Sequence, residues 1–137
     1  MILFGSDETG TLELTEPRRG EAGELWWLTA TLQAPGLVAS TQVETHYAKG
    51  FDDLIAFFDD LAERWRPWEG RVEYDSVEHD LRMTARHDGV GHVILTVRLA
   101  GPHPPYQWSV EAEISTDPGE QMAAAAAEAH ALLARES

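Results

Sequence analysis

Residues 51–65 (FDDLIAFFDDLAERW) form the stretch that most constrains how this chain can fold. Apolar residues recur there at the spacing of one face of an α-helix, and acidic residues fill the opposite side. Aspartates occupy the first turn and arginines the end, which suits the helix dipole. The stretch therefore predicts an amphipathic helix that covers a hydrophobic surface built by the rest of the chain. The apolar stripe comprises Phe51, Leu54, Ile55, Phe58, Leu61, Ala62 and Trp65, and the acidic side comprises Asp52, Asp53, Asp59, Asp60 and Glu63.

Most of the remaining chain alternates between apolar and polar residues. This is the pattern of strands that have one face on a core and one face in water. The longest alternating segments are 25–33, 37–47, 93–99 and 106–115, and sequences rich in proline and glycine separate the members of each pair. The pattern predicts antiparallel strands joined by hairpin turns.

A second helix is predicted for residues 122–135, which are rich in alanine, the best helix former. Asp117 is placed to cap this helix, Pro118 suits the first helical position, and Glu120 completes a capping-box pattern. The order of four strands, a helix, four strands and a helix indicates either an internal duplication or the recurrence of a common motif. We therefore predict one α+β domain over residues 1–137, with an antiparallel β-sheet of about eight strands and both helices packed on one face.

The chain is strongly acidic, with 24 acidic and 10 basic side chains, a formal net charge of −14 and a single lysine, Lys49. Nucleic acids and anionic membranes are polyanions, so this charge argues against both as partners and favours a basic protein. Solubility, or adaptation of a whole proteome to an acidic average, explains the charge equally well.

Compartment is inferred from what the sequence lacks. There is no cysteine, which excludes a disulfide framework and thiolate metal sites. The sequence has neither a basic leader followed by a long apolar run nor the roughly 18 consecutive apolar residues of a membrane span. We therefore expect a cytoplasmic protein.

No motif for catalysis or cofactor binding stands out. The serines lie outside GxSxG contexts, and the turn at residues 89–91 is not followed by a helix start, as a phosphate loop would be. His87 and His92 flank a hairpin turn near Asp88 and could meet around a metal, but two exposed histidines beside a turn explain the pattern more simply. The carboxylates occupy polar positions, without the desolvation that separates catalytic pKa values. We expect no enzymatic activity, no cofactor and no metal.

Two aromatic residues fall outside the predicted core faces. Trp27 shares a strand face with Thr29 and Thr31, and Phe57 lies at the flank of the helical stripe, about 240° around the helix from Phe51. Both side chains either pack in the core or anchor a protein interface. The second interpretation predicts a partner-binding surface. Its members are Asp52, Asp53, Phe57, Asp60 and Glu63 on the helix and Trp27 on the strand.

Several turns and strands resemble those of known proteins. The helix at residues 51–63, the run at residues 68–99 and the strand and helix start at residues 106–122 resemble an uncharacterised family of short acidic bacterial proteins. More distantly, the pattern is similar to that of the WapI-type immunity proteins, with residues 68–70 (WEG), 91–92 (GH) and 115–117 (STD) where that pattern expects them. The resemblance covers most of the chain and rests mainly on turns, core positions and helix starts. It implies a small non-enzymatic protein that binds and neutralises a cognate bacterial toxin.

Two hypotheses of function follow from these patterns. The first is an immunity-type inhibitor that presents the acidic helix face or the Trp27 strand face to a basic protein toxin, because opposite charge accelerates association. The second is a small-molecule-binding or self-associating β-sheet module, either a monomer or a homodimer. It predicts an apolar pocket or a symmetric contact between copies.

Overall fold

The computed structural model describes residues 1–6, 8–15, 17–22, 25–45, 50–64, 68–102, 105–117 and 119–134, with Leu25 described by its backbone. The prediction of an α+β fold with antiparallel strands and two helices is confirmed. In chain order the elements are β1 (Ile2–Ser6), β2 (Gly10–Leu14), β3 (Arg18–Arg19), β4 (Leu25–Ala34), β5 (Leu37–Glu44), α1 (Asp52–Glu63), β6 (Val72–Asp75), β7 (Leu81–His87), β8 (Val93–Gly101), β9 (Trp108–Thr116) and α2 (Glu120–Leu133).

Several predicted features coincide with gaps in the description. The predicted element ends at Tyr47, Trp65 and Arg135, and the proposed first helical residue Pro118, lie outside the described residues. The single lysine, Lys49, lies outside them as well.

The strands form two antiparallel sheets. In the first sheet β1 pairs with β2, β2 with β4, and β4 with β5, while the two-residue β3 pairs with the beginning of β4. The second sheet has the order β6-β7-β8-β9. Most neighbouring strands are consecutive in the chain and form hairpins, whereas the connection between β2 and β4 contains β3, and α1 lies between β5 and β6. The prediction of about eight strands in one sheet becomes nine strands in two sheets among the described residues, and the additional strand is the two-residue β3.

The core lies between the sheets and under the helices. The inward residues of β4 (Leu28, Ala30 and Leu32) are fully buried, as are Leu95 and Val97 of β8. Strands β1 and β2 contact β9, and β4 and β5 contact β8. The alternation that predicted half-buried strands therefore gives each sheet one inner face, and these faces share one core.

Polar side chains join the two sheets at separate points. At one point, the N–H of Ser115 donates to Oγ1 of Thr9 at 3.2 Å, which ties the β1–β2 turn to β9. At another, Oγ1 of Thr41 donates to the carbonyl oxygen of Ala100 at 3.1 Å, which ties β5 to β8. These bonds satisfy polar groups where the two sheets approach each other.

The helices pack on each other and on the first and second sheets. Helix α1 contacts α2 and β6, and α2 contacts β1. The buried side of α2 is largely alanine, whose short side chains let a neighbouring helix approach closely. A ring nitrogen of His130 lies 2.8 Å from a carboxylate oxygen of Asp59 and links the exposed edges of the two helices. The buried residues are Leu54, Ile55, Phe57, Phe58 and Leu61 in α1 and Met122, Ala125, Ala126, Ala129 and Leu133 in α2.

The predicted capping box of α2 is wrong. The residue that caps the helix is Gly119 and not Asp117, and no side chain forms a cap hydrogen bond there. Gly119 has a φ of 92°, a backbone conformation that favours glycine. The sequence pattern placed the polar residues close to the helix start, but the chain enters the helix through a glycine turn two residues later.

Candidate acidic interface

The outward side of α1 carries the predicted acidic face. Asp52, Asp53 and Glu63 are exposed, and Asp60 is half-buried. Asp60 forms an ion pair with Arg64, with 2.8 Å between Oδ1 and Nε. Local partners therefore offset part of the negative charge of this face, whereas Asp53 and Glu63 form no ion pair with any residue that the structure describes. The carboxylates that remain to attract a partner lie at the two ends of the helix.

Phe57 lies in the core and not on the binding surface. Its side chain is 4% exposed, and its ring makes an edge contact with Phe58 and a tilted contact with Tyr74, with ring centroids 5.5 and 6.1 Å apart. The prediction of Phe57 as an exposed anchor is corrected by this burial. Its position at the flank of the apolar stripe faces β6, which supplies the second layer that covers it.

Trp27 is half-buried on the outer face of the first sheet. It lies opposite Glu44 of β5 and Arg18 of β3 in the strand registers. Alternation along β4 places its neighbour Trp26 on the inner face with Leu28, but Trp26 is 46% exposed, and the two tryptophan rings lie 6.0 Å apart. The register shifts between Arg18 and Arg19, and this irregularity accompanies the loss of strict alternation at the start of β4.

The one buried carboxyl group among the described residues is one that no sequence pattern singles out. Asp80 lies in the turn before β7, is 4% exposed, and accepts hydrogen bonds from the hydroxyl of Ser76 and, at 3.2 Å, from the N–H of Glu44. Burial raises the pKa of Asp80, although both hydrogen bonds oppose that rise. Sequence analysis missed it because a polar residue between two short strands is usually solvent-exposed.

Two tyrosines mark the place where further carboxylates gather around Asp80. Burial raises the pKa of Tyr74, and the nearby carboxylates of Asp53, Asp80 and Asp75 raise it further. Burial and the charges of Asp80, Glu78 and Asp75 also raise the pKa of Tyr106, whose hydroxyl donates to the carbonyl oxygen of Glu78. The start of α1 and the turn between β6 and β7 therefore form one acidic region. We name it the acidic end; its members are Asp53, Asp75, Glu78 and Asp80.

The predicted site residues are only partly brought together. Asp53 belongs to the acidic end. Trp27 lies opposite Glu44 in the strand register, and the backbone N–H of Glu44 donates to Asp80 of the acidic end. Asp60 and Glu63 lie roughly 10 and 15 Å further along the axis of α1, at 1.5 Å per residue. Sequence analysis thus identified one helical contributor to the region, but not the turn that supplies most of it.

A cleft opens beside Asp80 at the junction of the sheets. It has a volume of about 430 Å³ and lies where Thr41 of β5 meets Ala100 of β8. The half-buried ring of Trp108 forms part of its wall. A larger and more polar cleft of about 800 Å³ lies elsewhere, between the β1–β2 turn and the start of α2. The cleft beside Asp80 is lined by Thr29, Ser40, Thr41, Gln42, Asp80, Ala100, Pro102 and Trp108.

The histidines that the structure describes contact neighbouring groups. His92 lies 3.0 Å from a carboxylate oxygen of Asp88 within the hairpin turn, and Nδ1 of His87 accepts the N–H of Gly89 at 2.8 Å. Within the described ranges no group of three or more histidine, aspartate or glutamate side chains is placed to hold a metal ion. The same residues include no helix that is long and apolar enough to cross a membrane.

Comparison with known proteins places the chain in one family. No curated protein and no solved structure matches it significantly. One family model matches residues 4–136, which is nearly the whole chain. The chain therefore belongs to the family described as a family of unknown function, DUF6228.

Proposed function

We propose that this protein is a non-enzymatic binding protein that recognises a basic protein through its acidic surface. The observation that carries the proposal is the acidic end, where carboxylates from α1 and from the β6–β7 turn converge in a chain with a net charge of −14. Such a concentration of charge steers a basic partner and raises its association rate. The resemblance to WapI-type immunity proteins further suggests that the partner is a bacterial toxin and that binding inhibits it.

The location of the surface follows from which carboxylates are available. Asp53 and Glu63 are exposed on α1, and Glu78 is exposed in the turn before β7. Asp75 is partly offset by Arg82, whose Nε lies 3.2 Å from one of its oxygens. We expect the partner to approach from the side on which α1 begins and to contact the exposed carboxylates of α1 as well as the acidic end.

The first experiment isolates the partner and then tests the surface. Immobilised protein is used to capture binding proteins from a lysate of its source organism at low salt and at about half-molar salt, because screening weakens exposed charge pairs. A basic protein that is released by salt becomes the ligand for kinetic measurements. The toxin hypothesis is tested by co-expression, in which the chain should restore growth to cells that express this ligand.

The surface is tested with two triple variants that change the net charge equally. Asp53→Asn, Asp60→Asn and Glu63→Gln together neutralise α1, whereas Glu73→Gln, Glu111→Gln and Glu113→Gln neutralise exposed positions of the second sheet. We expect the α1 variant to slow association about three- to tenfold and the sheet variant to change it less than about twofold. If both variants slowed association equally, the effect would come from net charge and not from the position of the carboxylates. If the α1 variant associated at the wild-type rate, this face would be removed from the proposal.

A second candidate function is favoured by the cleft beside Asp80. A concave site of about 430 Å³ lies within the size range of small-ligand pockets. A small-molecule-binding module should retain or acquire a ligand in this cleft, and a self-associating module should be a homodimer. Native mass spectrometry of the purified protein distinguishes both from a ligand-free monomer.

A further inference from the structure

The cleft beside Asp80 has a chemical composition that selects one kind of group. Its most buried polar member is Asp80, which is 4% exposed, and its wall includes the ring of Trp108. Thr41 also lines the cleft, and its hydroxyl donates to the carbonyl oxygen of Ala100. The cleft thus combines an acidic group with an aromatic surface.

Asp80 lacks a cationic counterpart among the residues that the structure describes. Its oxygens accept hydrogen bonds from the hydroxyl of Ser76 and the N–H of Glu44, its own backbone N–H also interacts with the carboxylate, and all three donors are neutral groups. An ionised carboxylate can accept about four hydrogen bonds, so acceptor capacity remains. A buried carboxylate is stabilised by an opposite charge, so a cation that enters the cleft would gain a favourable interaction with Asp80.

The surroundings favour a cation over an anion. Asp75 and Glu78 lie close enough to Tyr106 to act on its pKa, as does Asp80 itself. Arg82 pairs with Asp75, so Glu78 and Asp80 are the carboxylates that repel an anionic ligand and attract a positive one. Trp108 adds an aromatic face, which binds cations through its negative quadrupole and does so best for tryptophan among the aromatic residues.

The shape and the acceptors favour a guanidinium over an ammonium group. A guanidinium is planar, stacks on aromatic rings and carries five N–H donors, whereas an ammonium is a compact point charge with three. Besides Asp80, the lining offers the hydroxyl oxygens of Ser40 and Thr29 and the side-chain amide of Gln42 as acceptors. We propose that this cleft binds the guanidinium group of an arginine side chain, stacked on Trp108 and hydrogen-bonded to Asp80.

The natural source of that arginine is the basic partner, so this inference rests on the proposed function. Arginine and tryptophan are enriched among the few interface residues that dominate binding energy, and such residues fill well-packed pockets. The acidic end would then steer the partner, while the cleft would hold one of its arginines and slow its dissociation.

The test uses a probe that needs no partner. The isotope-labelled full chain is titrated at low salt with N-acetyl-arginine methylamide, and the amide signals and the indole N–H signal of Trp108 are followed by NMR. The controls are the corresponding citrulline compound, which has the same shape without the charge, and the lysine compound. We expect saturable shifts at Trp108 and Asp80 with the arginine probe, and binding about tenfold weaker or more for citrulline.

Two variants keep the test decisive. Asp80→Asn retains the size of the side chain and removes its charge, and should weaken binding of the arginine probe about tenfold or more. The exposed control Asp117→Asn, at the other cleft, should change this binding less than about twofold. Trp108→Leu removes the aromatic face without touching Asp80, and Trp26→Leu is its matched control. If Asp80→Asn fails to fold, the comparison of Trp108→Leu with Trp26→Leu tests the inference by itself.

Three results would overturn the inference: no saturable shift at the cleft, equal affinity for citrulline, or equal affinity for lysine. None of these bears on the proposed function, which is tested by capture of a basic partner and by the α1 triple variant. Conversely, saturable arginine binding without any basic partner would retain the cleft as a guanidinium site and refute the protein-binding role. Once a basic partner is identified, Asp80→Asn should accelerate the dissociation of the complex, whereas the α1 variant should slow its association.

Discussion

The backbone N–H of Glu44 donates a hydrogen bond of 3.2 Å to Oδ2 of Asp80, across 36 positions of the chain. Glu44 is the last residue of β5 in the first sheet, and Asp80 directly precedes β7 in the second. The other carboxylate oxygen of Asp80 accepts the hydroxyl of Ser76, whose oxygen in turn accepts the N–H of Leu81 at 3.0 Å. One carboxyl group therefore fixes the end of one sheet to the beginning of a strand in the other.

Removal of this carboxyl group should destabilise the fold. Asp80→Ala leaves the N–H of Glu44 and the hydroxyl of Ser76 without their acceptor, and an unsatisfied buried donor costs about 1–3 kcal/mol. We expect the free energy of unfolding in urea to fall by about 2–3 kcal/mol. Asp80→Asn should lose less, because its amide oxygen still accepts one hydrogen bond.

The control for this prediction is Asp75→Ala. Asp75 is exposed and pairs with Arg82 and His79 at the surface, so its loss should cost less than about 1 kcal/mol. A loss at Asp75 as large as that at Asp80 would contradict the link between the sheets.

The charge of Asp80 should make stability depend on pH in an unusual direction. Burial raises its pKa in the folded state above the ordinary value of 3.8. At pH values between the unfolded and the folded pKa, the folded state therefore binds more protons than the unfolded state. The contribution of Asp80 to stability is therefore complete below 3.8 and is lost as the pH rises through its folded pKa. The free energy of unfolding of the wild type, relative to that of Asp80→Asn, should decrease as the pH rises above 3.8.

Asp88 provides a control of opposite sign. Hydrogen bonds from the N–H groups of Val90 and His92 lower its pKa below 3.8. The stability that it contributes is present above 3.8 and is lost only as the pH falls through its lower folded pKa. The difference in the free energy of unfolding between the wild type and Asp88→Asn should thus change only below pH 3.8. If the stability of the wild type decreased above pH 4 relative to both Asp80→Asn and Asp88→Asn, the pH dependence would not be specific to Asp80.

Phe57 should behave as a core residue in stability measurements. It is 4% exposed and fills the space between Phe58 and Tyr74, so Phe57→Ala leaves a cavity. Truncation of a buried phenylalanine typically costs about 3–5 kcal/mol, and thermal and urea unfolding should show a loss of this size. On the same helix, Asp60→Ala removes an exposed ion pair with Arg64 and should cost less than about 1 kcal/mol. A small loss for Phe57→Ala would restore its interpretation as an accessible anchor.

The helix α1 was predictable because its pattern is local. Seven apolar residues with a single helical period identify both the element and its buried face, whatever covers that face. Phe57 remained ambiguous because a residue at the flank of a stripe is buried only if a second layer lies there. That layer is β6, and its position relative to α1 is a tertiary property that periodicity does not encode.

The acidic end could not be predicted for a related reason. Asp53, Asp75 and Asp80 come from two elements and a turn, and they become neighbours only when β6 packs against α1. The burial of Asp80 depends on Glu44, whose N–H becomes available at the last residue of β5. Likewise, the division into two sheets depends on how the chain returns after α1, which strand alternation alone does not determine.

The junction that closes the cleft offers a last prediction, at Gly101. A Cβ atom at this position would lie 2.5 Å from Oγ1 of Thr41 and 3.3 Å from Cζ2 of Trp108. Gly101→Ala therefore forces the two sheets apart or displaces Thr41, and overpacking of this kind costs about 1–3 kcal/mol. We expect a loss of this size in urea unfolding.

A double-mutant cycle identifies the atom responsible. Thr41→Ala removes Oγ1 and, with it, the hydrogen bond to the carbonyl oxygen of Ala100, which alone should cost about 1 kcal/mol. In the Thr41→Ala background, Gly101→Ala should cost at least about 0.5 kcal/mol less than in the wild type, because the closest clash is gone. Thr41→Ser keeps the hydroxyl and should give no such relief. Strictly additive losses for Gly101→Ala and Thr41→Ala would mean that the sheets do not approach each other at this point.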